Sequence, residues 1–459
     1  MGDSRIIISL ILGLIILIIL IMKTKIHTFL ALIITALFIG IAGGMPYDEV
    51  LNSVTGGFGG TLGSIGIIIG FGVMMGQIFE ISNAAKRMAS TFIKIFGKGK
   101  EDIAMAITGF LVSIPIFCDS GFVVLFPIAK ALSATTKKSV ITLGLALGGG
   151  LVITHTVVPP TPGPVGAAGI FDANVGSLIL WGIIVAIPMV IAMLAYASWY
   201  GKKLYQISDE DGSWIRPTDQ ADSSIQEYEF DETEAMPTAS KAFMPIIVPI
   251  ILILINTIIG ALSKTRGLEI TGIYAVLSFL GTPIVAVGLG LVIAIITLTK
   301  GLPREDVIKE LEVGIQSAGI IILVTGGGGA LGRVLTDSGV GNQIAESIAS
   351  MNINPLLLPF IISTIIRFIQ GSGTVAMLTS ASISAPIVLS LGVNPVFATL
   401  SACVGSLFFS YFNDSMFWVV NRSLGLSDAK EQLKGYTVIT TIAWAVGFIT
   451  IVILNAFFG

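Results

Sequence analysis

Apolar stretches follow one another along this chain, at 6–22, 61–81, 103–129, 139–174, 177–200, 242–262, 271–299, 314–334, 354–391, 394–421 and 436–458, with short polar connectors between them. A helix needs about 20 apolar residues to cross a hydrocarbon core, so the pattern predicts an all-α polytopic membrane protein. Lys and Arg gather on the cytoplasmic side of short loops, and their positions orient the spans. Lys23 and Lys25 put the first turn inside, so the chain crosses a second time before Gly43, which leaves the N-terminus and the connector 43–60 outside. The span 61–81 returns to Lys86, Arg87, Lys94, Lys98 and Lys100, an inside cluster. The next stretch ends in Lys130, Lys137 and Lys138, inside again. One apolar stretch with two cytoplasmic ends predicts a re-entrant hairpin over about 103–133, its tip at Cys118-Asp119-Ser120-Gly121.

From 139 to about 174 the chain runs outward through Pro159, Pro160, Pro162 and Pro164. Each internal proline loses a helical hydrogen bond and clashes with the preceding turn, so this is a broken helix with an unwound middle. The span 177–200 comes back to Lys202 and Lys203; after the linker, 242–262 goes out and 271–299 returns to Lys300, Arg304 and Lys309, with Lys264 and Arg266 against the rule. The second half then repeats the plan. The span 314–334 goes out, an outside hairpin covers about 354–392 with its tip at Gln370-Gly371-Ser372-Gly373-Thr374, and a broken helix covers about 394–421, interrupted at 412–415. Arg422, Lys430 and Lys434 mark the inside before a last span exits, so both termini are expected outside. Residues 1–203 and 242–459 therefore each hold five crossings, one hairpin and one broken helix, and an odd number of crossings turns the second half upside down. The run Gly72-Val73-Met74-Met75-Gly76-Gln77 in the first half is similar to Gly328-Gly329-Ala330-Leu331-Gly332-Arg333 in the second. Inverted repeats with paired discontinuities are a plan of secondary transporters, with the substrate bound at the midplane between the breaks.

Composition agrees: 54% of the 459 residues are hydrophobic and 12% charged, about half the charged share of a soluble domain. The 53 glycines and 18 prolines suit membrane helices, where small residues let backbones approach and neighbours re-satisfy a break. The net charge of −3 hides an uneven distribution, because the linker 204–241 carries ten acids (Asp209, Glu210, Asp211, Asp219, Asp222, Glu227, Glu229, Asp231, Glu232 and Glu234) and Arg216 among its few bases. Taking out residues 206–240 leaves 18 of the 28 acids and 24 of the 25 bases, a net +6. That is a basic-flanked membrane body with an acidic cytoplasmic linker, and nothing in it points to nucleic acid. Cys118 and Cys403 lie far apart in apolar stretches and are expected as small core residues, and two histidines, His27 and His155, offer no metal spacing. The segment 6–22 lacks a small-x-small cleavage site and is expected as the first span rather than a signal peptide.

Asp119 is the candidate with the sharpest chemistry, since an intramembrane carboxylate is costly unless it is paired or neutralised. Its plainer role is a helix cap. Ser120 and Gly121 would begin the second hairpin arm and offer a hydroxyl and backbone N–H groups to an anion. Around the proline break, Thr154, Thr156 and Thr161 supply hydroxyls, and His155 titrates near neutrality or serves as a structural histidine. The second tip has no carboxylate, and Gly371, Ser372, Gly373 and Thr374 make a neutral, donor-rich surface. Arg367 is either the counter-ion of an anionic substrate or the partner of Asp414; Asn413 and Ser415 occupy the second break. The run 326–332 contains a formal G-x-G-x-x-G without a βαβ context. With Gly66/Gly70, Gly72/Gly76 and Gly144/Gly148 it fits small-residue helix packing.

Two segments carry a family resemblance over essentially the whole length: Phe117-Cys118-Asp119-Ser120-Gly121-Phe122-Val123 with Pro127 beyond it, and His155-Thr156-Val157-Val158-Pro159-Pro160-Thr161-Pro162-Gly163-Pro164. The chain resembles the gluconate permease family of bacterial proton symporters, which includes gluconate, sugar-acid and D-serine carriers. Better-known members have Glu-Val-Gly at Asp119-Ser120-Gly121 and His-Pro at Thr161-Pro162, so the acid is kept beside a hydroxyl. The resemblance implies a bacterial inner-membrane symporter for small hydroxy-carboxylates, with two hairpins and elevator-like movement.

The expected function is proton-coupled symport of a small organic anion such as gluconate, with Asp119, together with His155, carrying the proton and no cofactor or metal. A homodimer stays open. Rival readings are a sodium-coupled carrier, a D-serine-type permease and, more remotely, an intramembrane hydrolase built on Ser120 and His155, which would leave the paired discontinuities unexplained.

Overall fold

The structure is a computed structural model that describes residues 2–22, 24, 26–97, 99–208, 214–216, 236–266, 268–339, 354–411 and 414–459. The first half forms α1 (Gly2–Met22), α2 (Thr28–Gly43), α3 (Tyr47–Ile81), α4 (Ala84–Phe96), α5 (Glu101–Val112), α6 (Cys118–Thr136), α7 (Val140–Val157), α8 (Pro162–Phe171) and α9 (Val175–Lys203). Two short strands, β1 (Ile207–Ser208) and β2 (Trp214–Ile215), pair antiparallel at the start of the linker. The second half forms α10 (Ala239–Arg266), α11 (Gly272–Leu280), α12 (Pro283–Leu298), α13 (Arg304–Asp337), α14 (Leu357–Gln370), α15 (Gly373–Ser390), α16 (Pro395–Gly405), α17 (Ser415–Ser423), α18 (Ala429–Gln432), a π-helical turn at Leu433–Thr437, and α19 (Val438–Phe458). The ten acids of the linker, Lys23, Lys25, Lys98 and Asn413 lie outside the described residues.

Among the described residues seven helices are long and apolar enough to cross a membrane, or nine when two bent pairs each count as one span. The ten expected crossings are not all met by length: α2 has 16 residues and α16 eleven, whereas the second hairpin arms α6 and α15 qualify. The predicted span 271–299 is instead the pair α11 and α12, bent by 67°.

The expected connector 43–60 is mostly helix, since α3 begins at Tyr47. Here α3 lies along α13: a Cβ at Gly57 would collide with Gly329 O and sit 2.6 Å from the Arg333 Cβ, whereas Gly56, Gly59 and Gly60 have nothing within 4 Å of one. The packing role holds unevenly elsewhere, because Gly70 has nothing within 4 Å of such a Cβ.

The first hairpin turns at 113–117, a few residues before its expected tip, so Asp119 stands in the first turn of α6. With 12 residues α5 extends only about 18 Å. Its start lies beside the end of α6, because Lys138 Nζ is 2.5 Å from Asp102 Oδ1 and 3.3 Å from Glu101 Oε2. The second hairpin turns at Gly371, whose φ of 87° closes α14 with a left-handed residue, as expected.

The proline-rich break is shorter than expected. Only 158–161 is unwound, and Pro162 and Pro164 lie in the first turn of α8, where no intrahelical N–H is required. The second break begins earlier than expected, directly after α16 ends at Gly405, and α17 begins at Ser415. In an 18-residue apolar stretch of Val140–Phe171 94% of the residues are buried, against 39% in one of Val175–Lys203. Helix α7 is apolar all round and so belongs at the centre, which puts its last turn, with His155, among the breaks.

Candidate functional site

Three helices begin at one place. The first turn of α6 follows Phe117, α15 follows Ser372, and α17 follows Asp414. Each start leaves backbone N–H groups without an intrahelical partner and carries the positive end of a helix dipole. Between them lies a cavity of about 340 Å³ lined by Phe117, Cys118, Asp119, Val152, His155, Thr156, Arg367, Gly371, Ser372, Gly373, Thr374, Met377, Ser406, Leu407, Asp414, Ser415 and Met416.

The polar wall is joined across the two halves. Ser415 Oγ donates to Asp119 Oδ2 at 2.9 Å, while Asp119 Oδ1 is buried with no hydrogen-bond partner among the described residues. His155 packs its ring 5.5 Å from that of Phe117, and its Nδ1 also has no partner among the described residues. Thr156 lines the cavity but spends its hydroxyl on Val152 O at 2.7 Å. Ser372 caps α15 by accepting from Val375 N at 3.4 Å.

Arg367 resolves in favour of the partner role. Its guanidinium donates to Asp414 Oδ2 at 2.5 Å and to Gly371 O, so one side chain ties the hairpin turn to the second break. Asp414 also accepts from Ser410 Oγ and from Met416 N, capping α17. The pair is buried, with side chains 6% and 10% exposed. A buried pair of this kind specifies geometry at a desolvation cost, and losing one partner strands a charge.

Of the other expected site residues, Gly121 packs against Leu151, where a Cβ would be 2.8 Å from Leu151 Cδ2, and its N–H is bonded to Phe117 O. Thr161 turns its hydroxyl back to Val158 O at 2.6 Å, Thr154 is fully buried, and neither they nor Ser120 line the cavity. Asn413 lies outside the described residues. The apolar lining of Phe117, Met377, Leu407 and Met416 was not anticipated. Its signal was adjacency: Phe117 and Met416 flank Asp119 and Ser415 by one or two positions, and Met377 is one helical turn beyond Gly373. Cys118 and Cys403 are both free and buried, though Cys118 also lines the cavity.

The model of the GntP family permeases matches residues 5–457, nearly the whole chain. The chain belongs to the GntP family of permeases. An uncharacterized permease of Haemophilus influenzae is 49% identical over 99% of this chain and 93% of its own length. The gluconate permease of Bacillus subtilis is 32% identical over 97% of this chain and 98% of that protein. In fold the chain is similar to the Neisseria gonorrhoeae antimetabolite efflux pump MtrF, with a TM-score of 0.65 over 94% of this chain and 95% of that one, at 12% identity. This GntP family member is therefore a multi-pass membrane transporter of a small molecule, and not an enzyme.

Proposed function

We propose that this permease carries a small hydroxy-carboxylate such as gluconate across a bacterial inner membrane together with a proton, and that the 340 Å³ cavity is where the anion binds. The observation that carries the reading is the convergence of the starts of α6, α15 and α17 on a space that also holds a carboxylate oxygen without a partner among the described residues, Asp119 Oδ1. Helix starts favour anions; a free Asp119 carboxylate repels one. Protonating Asp119 removes that repulsion, so proton and anion enter together, which is the thermodynamic content of symport. Ser372, Thr374 and Ser415 supply hydroxyls, and His155, which lines the same cavity as Asp119, is the second proton-coupling group. The name of the Bacillus subtilis relative supports the substrate class.

The architecture fits two inverted repeats, 1–203 and 242–459, each ending in hairpin, broken helix and long span, around the acidic linker 204–241, with both termini outside and elevator-like movement of the hairpins and broken helices. The order of elements supports this: α5 and α6, α7 and α8, and α9 recur as α14 and α15, α16 and α17, and α19. If α5 and α6 re-enter rather than cross, cysteines at Lys100 and Lys137 label from the cytoplasmic side; labelling of Lys137→Cys from outside alone defeats the inversion.

Proteoliposome uptake of radiolabelled gluconate tests the function. Concentration driven by an inward proton gradient, unchanged when choline replaces sodium, is the expected result. Dependence on sodium at fixed pH replaces the proton with Na⁺, and no gluconate uptake under either gradient removes the substrate assignment.

A further inference from the structure

The described ends of the linker are fastened to the body of the protein. Gln206 is 1% exposed: its backbone O accepts from Val140 N at 2.8 Å, its Nε2 donates to Leu424 O at 2.6 Å, and its Oε1 accepts from Arg216 Nε at 2.8 Å. Arg216 continues to Glu431 with a two-pronged pair at 2.9 and 2.8 Å. Between these, the Trp214 ring lies 6.3 Å from that of Phe126, beneath Lys130 Nζ at 4.9 Å, and so close to Gly425 that a Cβ there would collide with it. Phe126 and Lys130 are on α6; Leu424 and Gly425 directly follow α17.

These are the two helices whose opposite ends carry Asp119 and Ser415. Lys130 is 11 residues from Asp119 along α6, about 16 Å, and Leu424 is nine residues from Ser415. Each helix is continuous between its two ends, with Pro127 of α6 lying at the clamp end, so a clamp at one end constrains the gap at the other. We propose that Gln206, Trp214 and Arg216 are positioning residues: Trp214 bridges α6 to the turn after α17, Gln206 and Arg216 anchor it through Val140, Leu424 and Glu431, and together they hold Asp119 and Ser415 at hydrogen-bond distance in the cavity. The linker then does more than join the halves, because its first residues set the geometry of a site made by both. The Arg216 side chain is 43% exposed, so the ion pair contributes less than the buried Gln206 bonds.

The inference rests on the cavity reading above, and its test does not need the transported substrate. In full-length purified protein carrying Cys118→Ala and Cys403→Ala, the pair Asp119→Cys and Ser415→Cys reports the spacing through the rate of oxidative cross-linking. Arg216→Glu is expected to slow cross-linking about threefold and Gln206→Ala about tenfold. Glu431→Arg added to Arg216→Glu should restore the parent rate, which a general loss of folding would not do. Gel filtration shows whether Gln206→Ala remains monodisperse, and the exposed Arg216 variants read the tie if it does not. Parent-rate cross-linking in Arg216→Glu and in every folded Gln206 variant overturns the proposal, as does a double reversal no faster than the single one. Slowed cross-linking alongside an Asp119→Asn protein that still concentrates gluconate leaves the tie standing and defeats the cavity reading instead.

Discussion

The two hairpin turns face the same cavity with different chemistry. At the first, Asp119 offers a carboxylate with one oxygen held by Ser415 and the other without a partner among the described residues. At the second, the charge is already matched: Arg367 binds Asp414 and the turn carbonyl of Gly371, and what faces the cavity besides is Ser372, Gly373 and Thr374. Similar frames thus divide the work. The first turn holds a group whose charge can change, and the second holds a neutralised pair that fixes shape and presents neutral donors. The physical reason is that a free charge of each sign in one small enclosed space would pair, which would remove both the proposed proton carrier and the proposed anion site.

The largest effect that sharpens this contrast is expected from Asp119→Asn, which should abolish concentrative gluconate uptake while counterflow exchange persists, because the proposed coupling needs the Asp119 carboxylate and recognition does not. A variant that still concentrates substrate removes Asp119 from the mechanism. Next, Arg367→Ala should destabilise the protein by about 3–5 kcal/mol, since it strands Asp414 in a buried site. Thermal unfolding in detergent measures it. Arg367→Ala with Asp414→Asn should lose less than Arg367→Ala alone, and an equal or greater loss would show that the second turn is not organised around a charge pair.

Smaller effects are expected from single hydroxyls. Ser372→Ala and Ser415→Ala should each weaken saturation binding about tenfold, the cost of one unpaired polar group around a desolvated anion, and Thr156→Val, whose hydroxyl is bonded to Val152 O, should weaken it less. Parent-like binding in both Ser372→Ala and Ser415→Ala would reduce the second half to scaffold. The least effect on affinity is expected from Gly328→Ala, whose Cβ would collide with Ser382 Oγ and sit 3.1 Å from Ile170 Cδ1. Overpacking of about 1–3 kcal/mol should lower expression and leave the binding constant of the purified protein unchanged.

Much of this was legible without coordinates. The second turn falls at Gly371 as expected, because a left-handed residue between two apolar runs leaves few alternatives to glycine. Asp119, His155, Thr156, Ser372 and Ser415 were all singled out by polarity in an apolar setting, and all line one cavity. Errors arose where a local feature has two outcomes. Charge puts the connector 43–60 on one side without saying whether it is helix, and of Gly56, Gly57, Gly59 and Gly60 only Gly57 meets α13. The prolines behaved likewise, since Pro162 and Pro164 start a helix as readily as they end one.

The amino-acid sequence by itself determined the solvent of each segment, because burial of about 20 apolar residues is a local property of composition, and it determined where the backbone must break, because proline and glycine act through their own dihedral angles. It also determined the family, through motifs that are contiguous. What only the tertiary structure decided is which side chains meet. Ser415 reaches Asp119 across 296 positions, and Arg367 chooses Asp414 over an open cavity. Gln206 is buried at the joint between α7 and the end of α17. Such pairings depend on distances between helices that are set by the packing of the whole chain, and no local pattern encodes them.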